Sequence, residues 1–138
     1  MPTSEVIYIG ELSTEATHLK SSSKISTDAP TDNNGLGRTF SPTDLLATSL
    51  ASCMLTIMGI RANESQLDIS KTTATVTKVM AANPRRVSEV IVEFKIADRN
   101  LSDIHKTVLE KAATTCPVAK SLNDSLKQTV SFTYIKTV

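Results

Sequence analysis

The chain has 138 residues, of which 40% are hydrophobic and 21% charged, and its formal net charge is +1. This length and composition are those of one globular domain, so we expect a single domain over residues 1–138. A nearly neutral chain has no field to attract nucleic acid or an acidic membrane. Aromatic residues, at 4%, are also too scarce to stack on single-stranded nucleic acid. Neither nucleic acid nor a membrane is an expected partner.

The compartment is predicted from the N-terminal residues and the cysteine content. The opening residues, MPTSEVIYIGEL, lack the basic start, apolar stretch and small-residue cleavage site of a secretory signal. We therefore expect a cytoplasmic protein, in which structural disulfides are disfavoured. The chain has two cysteines, Cys53 and Cys116. Each is expected to be either a buried packing residue or part of a working thiol pair.

Three strands and a long loop are predicted at the start of the chain. Residues 5–12 are rich in Val, Ile and Tyr, and residues 14–20 and 24–27 follow as short segments of mixed polarity. Together they predict a three-stranded meander. Pro, Asp, Asn and Gly are too dense in residues 28–42 for a regular element, so a loop is predicted there. Loops of this length in compact domains are usually functional or disordered.

A long helix is predicted at the end of this loop. Ser41 is a favourable N-cap and Pro42 a favourable first helical residue, so the helix should start there and run to about residue 62. Residues 45–60 carry no charge but fall short of the roughly 20 apolar residues that span a bilayer, so we interpret the segment as a buried helix. Apolar residues at alternating spacings of four and three form its expected seam: Leu46, Leu50, Cys53, Ile57 and Ile60.

A hairpin is predicted after the long helix. Residues 67–80 are dense in Thr and Val, and Asn83-Pro84 is a turn signal. Apolar and charged residues then alternate over residues 89–96, which is typical of a strand with one solvent-exposed face.

Two helices and a final strand complete the prediction. Asn100 and Asp103 resemble a capping box for a helix that reaches residue 115. A helical stripe continues over residues 118–126, and residues 129–136 are predicted as a strand. The order β-β-β-α-β-β-α-α-β lacks strict β-α alternation, so the predicted fold class is α+β.

The two cysteines occupy different positions in these helices. Cys116 directly precedes Pro117, where the unpaired N–H groups and the dipole of a starting helix are expected to favour a thiolate and lower the pKa of Cys116. Cys53 lies about three turns inside the long helix. Apolar surroundings there would leave its thiol inert unless folding supplies a cationic or hydrogen-bonding neighbour; the candidates are Arg38, Lys120, His18 and His105. The competing interpretation is that Cys53 is a core residue, because free cysteine packs as a small hydrophobe.

Two segments, SPTDLLATSLASCMLTIMGI and the later TTCPVAKSL, resemble the OsmC/Ohr family of thiol-dependent proteins, and the resemblance covers nearly the whole chain. It implies an OsmC-like α+β fold with a long buried central helix, assembled as an intertwined homodimer with active sites at the subunit interface. It also implies a peroxidase without a cofactor, in which Cys53 attacks an organic hydroperoxide and Cys116 resolves the sulfenic acid as a disulfide. A dithiol reductant would reset the pair. Phe40, Leu50 and Met54 are expected to form an apolar pocket that favours organic hydroperoxides.

The sequence departs from the family pattern at the residues that activate the first cysteine. Peroxidase members have a Glu directly after the helix-start proline and an Arg near the N-terminal strands, whereas Thr43 occupies the Glu position and no Arg precedes Arg38. The possible activating residues are therefore Arg38, Asp44 and His18. The expected function is a peroxidase that uses Arg38 and Asp44, a slow peroxidase, or a relative with another substrate. The alternative is a non-enzymatic protein that binds a hydrophobic small molecule in a cavity at the dimer interface.

A metal site is not expected. Cys53, Cys116, His18 and His105 are ligand types that zinc accepts, but structural zinc sites draw their ligands in close sequence pairs such as C-x2-C. These four residues are far apart in the chain.

Overall fold

The computed structural model describes residues 1–138 and divides into two compact units, Met1–Leu46 and Ala47–Val138. Three strands, a long helix, two strands, two helices and a last strand follow one another along the chain. This order confirms the predicted α+β class. The expectation of a single domain over residues 1–138 stays a prediction.

The first unit contains a three-stranded antiparallel sheet. Its strands are β1 (Ser4–Gly10), β2 (Ser13–His18) and β3 (Lys24–Asp28), and they pair in chain order. Val6 lies opposite Ala16, which in turn lies opposite Ile25. The predicted meander is confirmed, with ends that differ by a few residues because tight turns take up the flanking positions.

The predicted loop after β3 is also confirmed, and it contains one short 3-10 helix, Thr31–Asn33. A Cβ at Gly35 would lie 1.8 Å from the carbonyl oxygen of Ala29, so only glycine fits there. The N–H of Gly37, a residue with a positive φ of 62°, donates to the same carbonyl oxygen at 3.1 Å. The two glycines therefore allow the loop to fold back tightly on the residue that follows β3.

The long helix, α1, spans Pro42–Glu64 and begins where the sequence predicts. Ser41 Oγ accepts the N–H of Asp44 at 3.1 Å, and the Asp44 carboxylate accepts the N–H of Ser41 at 2.9 Å. This reciprocal pair is a capping box. By length and composition alone α1 could cross a membrane, a property that it shares with core helices of soluble proteins.

The buried face of α1 differs from the predicted seam. Leu46 and Ile60 were expected on the apolar face, but they are 38% and 48% exposed, and Cys53 is only half-buried. The buried side chains are instead Ala47, Leu50, Ala51, Met54, Met58 and Ala62. Because α1 is apolar on nearly every side, spacing alone does not select the face that enters the core. Small alanines permit the closest approach there.

The sheet of the second unit is mixed. Its strands are β4 (Thr73–Ala81), β5 (Arg86–Asp98) and β6 (Lys127–Lys136), in the order β4-β5-β6. The β4–β5 pair is antiparallel and confirms the predicted hairpin, whereas β5 and β6 are parallel. The strand β4 begins later than the predicted residue 67, because the N–H and hydroxyl of Thr72 both donate to the Ile69 carbonyl and form a turn. Alternate residues of β5 enter the core: Val90, Val92, Phe94 and Ile96.

A crossover of two helices, α2 (Asp103–Thr114) and α3 (Pro117–Ser121), connects the parallel strands. The capping box of α2 pairs Ser102 with His105, so the predicted box of Asn100 with Asp103 is wrong. Asn100 has a positive φ of 68° and belongs to the turn that precedes the cap. The helix α3 ends at Ser121 and does not reach the predicted residue 126, because the chain turns again over residues 123–126.

Candidate functional site

Folding brings the two cysteine thiols of the second unit together. Cys53 lies in the middle of α1 and Cys116 directly precedes α3, yet the two thiols are in hydrogen-bond contact. Both are free cysteines, and they differ in exposure: Cys116 is 0% exposed, whereas Cys53 is half-buried. The molecule therefore has one buried and one partly accessible sulfur within reach of each other.

The surroundings of Cys116 contradict the predicted effect on its pKa. Its Sγ accepts the N–H of Ala119 at 3.4 Å, as expected for the N-cap of α3. Burial nevertheless raises the pKa of Cys116, and the contact with Cys53 raises it further. The backbone N–H groups of α3 act in the opposite direction but are outweighed. The predicted lowering is therefore wrong, because a helix of this length cannot offset complete removal of a thiolate from water.

Arg38, a possible activating residue, is held in the first unit by an acid. Its Nε and backbone N–H both donate to the Asp28 carboxylate at 2.8 Å, and its Nη2 donates to Ser13 Oγ at 3.1 Å. Ser13 also donates a hydrogen bond to the Asp28 carboxylate. Glu11 adds a looser contact with the guanidinium at 3.7 Å. Hydrogen bonds from Arg38 and Ser13 hold the pKa of Asp28 well below its usual range.

The other possible activating residues also have local partners. The Asp44 carboxylate belongs to the capping box of α1, and Thr43, at the position of the family Glu, lies 3.2 Å from Ser41 through its hydroxyl. His18 ends β2, exposed, with its Nδ1 2.6 Å from Ser21 Oγ.

The two remaining candidates for a neighbour of Cys53, His105 and Lys120, make hydrogen bonds at the starts of α2 and α3. His105 completes the capping box of α2, and the backbone N–H of Lys120 donates to the Cys116 carbonyl at 3.1 Å. Both contacts are local ones within the crossover.

The predicted pocket residues lie in different environments. Leu50 and Met54 are fully buried in the hydrophobic core that also contains Cys116, whereas Phe40 is half-exposed in the first unit. An open groove of about 410 Å³ runs between α1 and β4, lined by Thr48, Ala51, Ser52, Leu55, Thr56, Ala74 and Val76. The groove mixes hydroxyl groups with apolar side chains. Ser52, next to Cys53 in the sequence, is one of its walls.

Sequence reasoning missed two features around these residues. The Asp28–Arg38–Ser13 cluster joins positions of β2, β3 and the loop, and no local pattern marks such a pairing. The capping role of Asp44 was detectable, because Ser41 and Asp44 have the S-x-x-D spacing of a capping box.

A meander, a long helix carrying one cysteine and a short helix capped by a second define a two-cysteine α+β protein with adjacent thiols. The family model described as OsmC-like protein matches residues 34–131, and the chain belongs to this family.

Comparison with solved structures agrees with this assignment. The chain is similar to a proposed osmotic stress induced and detoxification response protein from Psychrobacter arcticus 273-4, with 55% identity, 96% coverage of each chain and a TM-score of 0.91. It shares the fold of an organic hydroperoxide resistance protein OsmC, a predicted redox protein and regulator of sulfide bond formation, from Legionella pneumophila (18% identity, 96% of this chain and 98% of that chain, TM-score 0.74). It also shares the fold of an organic hydroperoxide resistance protein from Elizabethkingia anophelis (14% identity, 98% of each chain, TM-score 0.73). No functionally curated protein matches the chain.

Proposed function

We propose that the protein is a thiol-dependent peroxidase that reduces organic hydroperoxides through Cys53 and Cys116. The observation that carries the proposal is the contact between two thiols that are far apart in the sequence. Family membership supports the same chemistry, since two of the proteins with this fold are named organic hydroperoxide resistance proteins.

The proposed reaction assigns a different role to each sulfur. The Cys53 thiolate attacks the terminal oxygen of the hydroperoxide, the O–O bond breaks, the alkoxide takes a proton and leaves as alcohol, and Cys53 becomes a sulfenic acid. Cys116 then attacks the Cys53 sulfur, and its proton leaves with the hydroxyl as water when the disulfide forms. A dithiol reductant supplies two electrons and restores both thiols. Burial raises the pKa of Cys116 and keeps it protonated, so it does not compete for the peroxide.

Activation of Cys53 requires a group that stabilises its thiolate, and we place Arg38 first among the candidates, ahead of Asp44 and His18. Arg38 carries a permanent charge, and its bonds to Asp28 and Ser13 fix the orientation of the guanidinium. An Arg38→Gln change should therefore slow the oxidation of Cys53. Because it also leaves the buried Asp28 unpaired, the matched control is the double change Arg38→Gln with Asp28→Asn, which removes both charges. If both variants oxidise at the wild-type rate, Arg38 does not activate Cys53.

Substitution of each cysteine tests the peroxidase itself. With an alkyl hydroperoxide and a dithiol reductant, Cys53→Ser should abolish turnover, because the attacking sulfur is lost. Cys116→Ser should still lose its single thiol to one equivalent of peroxide, but it should form no internal disulfide. Turnover is measured as peroxide consumed per protein. Full turnover by Cys53→Ser would refute the mechanism.

We also propose that the protein works as a homodimer. Four consecutive apolar residues of β1, Val6, Ile7, Tyr8 and Ile9, are each more than half exposed. Since alternate residues of a strand point to opposite faces, both faces of β1 are uncovered in the single chain. Exposed apolar patches of this kind mark interaction sites. The free edge of β1, which pairs with β2 alone, supports the same assembly.

The proposed setting is the cytoplasm, where a dithiol reductant keeps cysteine pairs reduced.

A binding protein for a hydrophobic small molecule is the second candidate. It is favoured by the buried, protonated state of Cys116 and by the local partners that Arg38, Asp44 and His18 already have. In such a binding protein, the residues that line the open groove between α1 and β4 would form one side of the ligand cavity. If this function is correct, Cys53→Ala retains ligand binding, and peroxide oxidises the wild-type protein no faster than a free thiol.

A further inference from the structure

We propose that the reductant opens the Cys53–Cys116 disulfide at the Cys53 sulfur, so that the mixed disulfide of each cycle forms on Cys53 and Cys116 departs. This inference rests on the proposed function, because it concerns the disulfide that the peroxidase cycle produces.

Accessibility distinguishes the two sulfurs. Cys116 is completely buried, and its neighbours Ala113 and Ala119 are buried with it. Cys53 is half-buried, and it shares its side of α1 with Ser49, Ser52 and Thr56, all of which are exposed. Because thiol–disulfide exchange requires access to the sulfur that is attacked, an external thiol reaches Cys53 without displacing the core.

The direction of attack gives a second reason. A thiolate displaces a sulfur by approaching along the S–S axis from the side opposite to the leaving sulfur. Because Cys116 lies in the interior and Cys53 lies nearer the surface, the S–S axis runs from Cys116 outward to Cys53. Approach to Cys53 therefore comes from the side of α1 that the core of its own chain leaves uncovered, whereas approach to Cys116 would pass through that core around Ala113 and Ala119.

The proposed exchange balances at each sulfur. A thiolate of the dithiol bonds to Cys53 Sγ, the Cys53–Cys116 bond breaks, and its electron pair goes to Cys116 Sγ, which takes a proton. Burial raises the pKa of Cys116 and so slows its departure, a cost that the N–H of Ala119, 3.4 Å from Cys116 Sγ in the reduced protein, offsets only in part. Access, and not leaving ability, therefore selects the sulfur that is attacked. Burial, which raises the pKa of Cys116, then keeps it protonated and unable to close the bond again. The second thiol of the reductant attacks the reductant's own bonded sulfur and releases Cys53.

The site of attack is measured on the wild-type protein with a monothiol, which cannot complete the second step. Diamide, an oxidant that needs no peroxidase activity, first forms the disulfide. Mercaptoethanol is then added, and samples are quenched with acid at early times and alkylated with N-ethylmaleimide. Trypsin separates the two cysteines, because cleavage after Arg38 and Arg61 releases one and cleavage after Lys111 and Lys120 releases the other. Mass spectrometry then locates the mercaptoethanol adduct and the alkylated thiol.

We expect the mercaptoethanol adduct on the Cys53 peptide in several-fold excess, with N-ethylmaleimide on the Cys116 peptide. Adduct mainly on Cys116, or equal amounts on both, would overturn the inference, and so would failure of diamide to form the internal disulfide. The single-cysteine variants are the matched controls. When each is loaded with mercaptoethanol, dithiothreitol should release it several-fold faster from Cys53 in Cys116→Ser than from Cys116 in Cys53→Ser. If alkyl hydroperoxide is not turned over but the diamide disulfide still opens at Cys53, the peroxidase proposal fails and this inference stands.

Discussion

Asp28 is the last residue of β3, and its buried carboxylate is the negatively charged group at the centre of a polar cluster in the first unit. Arg38 approaches it with both side-chain and backbone donors, and Ser13 completes the set. A buried carboxylate is stable only when its oxygens are matched in this way. The loop that leads to α1 is therefore tied to the sheet through one acid.

The pH dependence of stability follows from this cluster. Because the pKa of Asp28 is lowered in the folded protein, its contribution to stability is fully present above the unfolded-state pKa of about 3.9 and is lost as the pH falls through the lower folded value. Asp28→Asn should therefore lower the urea midpoint at pH 7, and its difference from wild type should shrink at a pH below about 3.9.

The matched control is Asp124→Asn, a change at an exposed acid that should leave the midpoint nearly unchanged. Circular dichroism during urea titration at both pH values provides the measurement. An Asp28→Asn midpoint equal to wild type at pH 7 would contradict the proposed importance of the cluster.

Cys116 shows which properties of a residue can be predicted from the sequence. The Cys-Pro pair correctly predicts the start of a helix, and the Ala119 N–H does reach the sulfur. The direction of the pKa shift of Cys116 could not be predicted from the sequence, because it depends on how completely tertiary packing removes the sulfur from water. Arg38 is similar: its residue type predicts a charge, but its pairing with Asp28 arises only from the folded loop.

At the scale of elements, the start of α1 depends on its capping box. Ser41 is 1% exposed, and its hydroxyl oxygen accepts the Asp44 N–H, a donor that has no partner within the helix. Ser41→Ala should therefore reduce the free energy of unfolding by about 1 kcal/mol. Ser52→Ala, at an exposed position inside the same helix, is the control and should be neutral or slightly stabilising, because Ala has the higher helix propensity. Equal effects of the two changes in urea unfolding would show that the cap contributes no special stability.

Elements defined by local chemistry were predictable, and elements defined by their partners were not. Ser41-Pro42 predicted the start of α1, and the alternation around Val92 predicted β5. The parallel pairing of β5 with β6 has no local signature, because it depends on how the crossover returns. The exposure of Leu46 and Ile60 likewise could not be predicted, because α1 is apolar on most sides.

At the scale of the whole molecule, the exposed apolar residues of β1 predict self-association. Ile7→Glu places a charge in the proposed interface and should convert a dimer to a monomer, halving the mass measured by sedimentation equilibrium. Ile104→Glu is the matched control, because Ile104 is even more exposed but lies on α2. A monomeric wild-type protein, or an Ile7→Glu variant that remains dimeric, would contradict the assembly.

The proximity of the Cys53 and Cys116 thiols could be predicted only from the resemblance of the chain to the OsmC/Ohr family. Spacing alone left Cys53 as a core residue or a working thiol, and the contact with Cys116 depends on the return of the chain through the crossover. The pair of motifs around the cysteines indicated the OsmC-like family, to which the chain belongs.

In the proposed mechanism, peroxide converts the thiols of Cys53 and Cys116 into one disulfide. Wild-type protein is treated with one equivalent of an alkyl hydroperoxide, its remaining thiols are titrated, and its tryptic peptides are examined by mass spectrometry. We predict rapid loss of both thiols and a disulfide that joins the peptide of residues 39–61 to that of residues 112–120. Persistence of both thiols, or separate oxidation of each without a disulfide, would contradict the proposed mechanism.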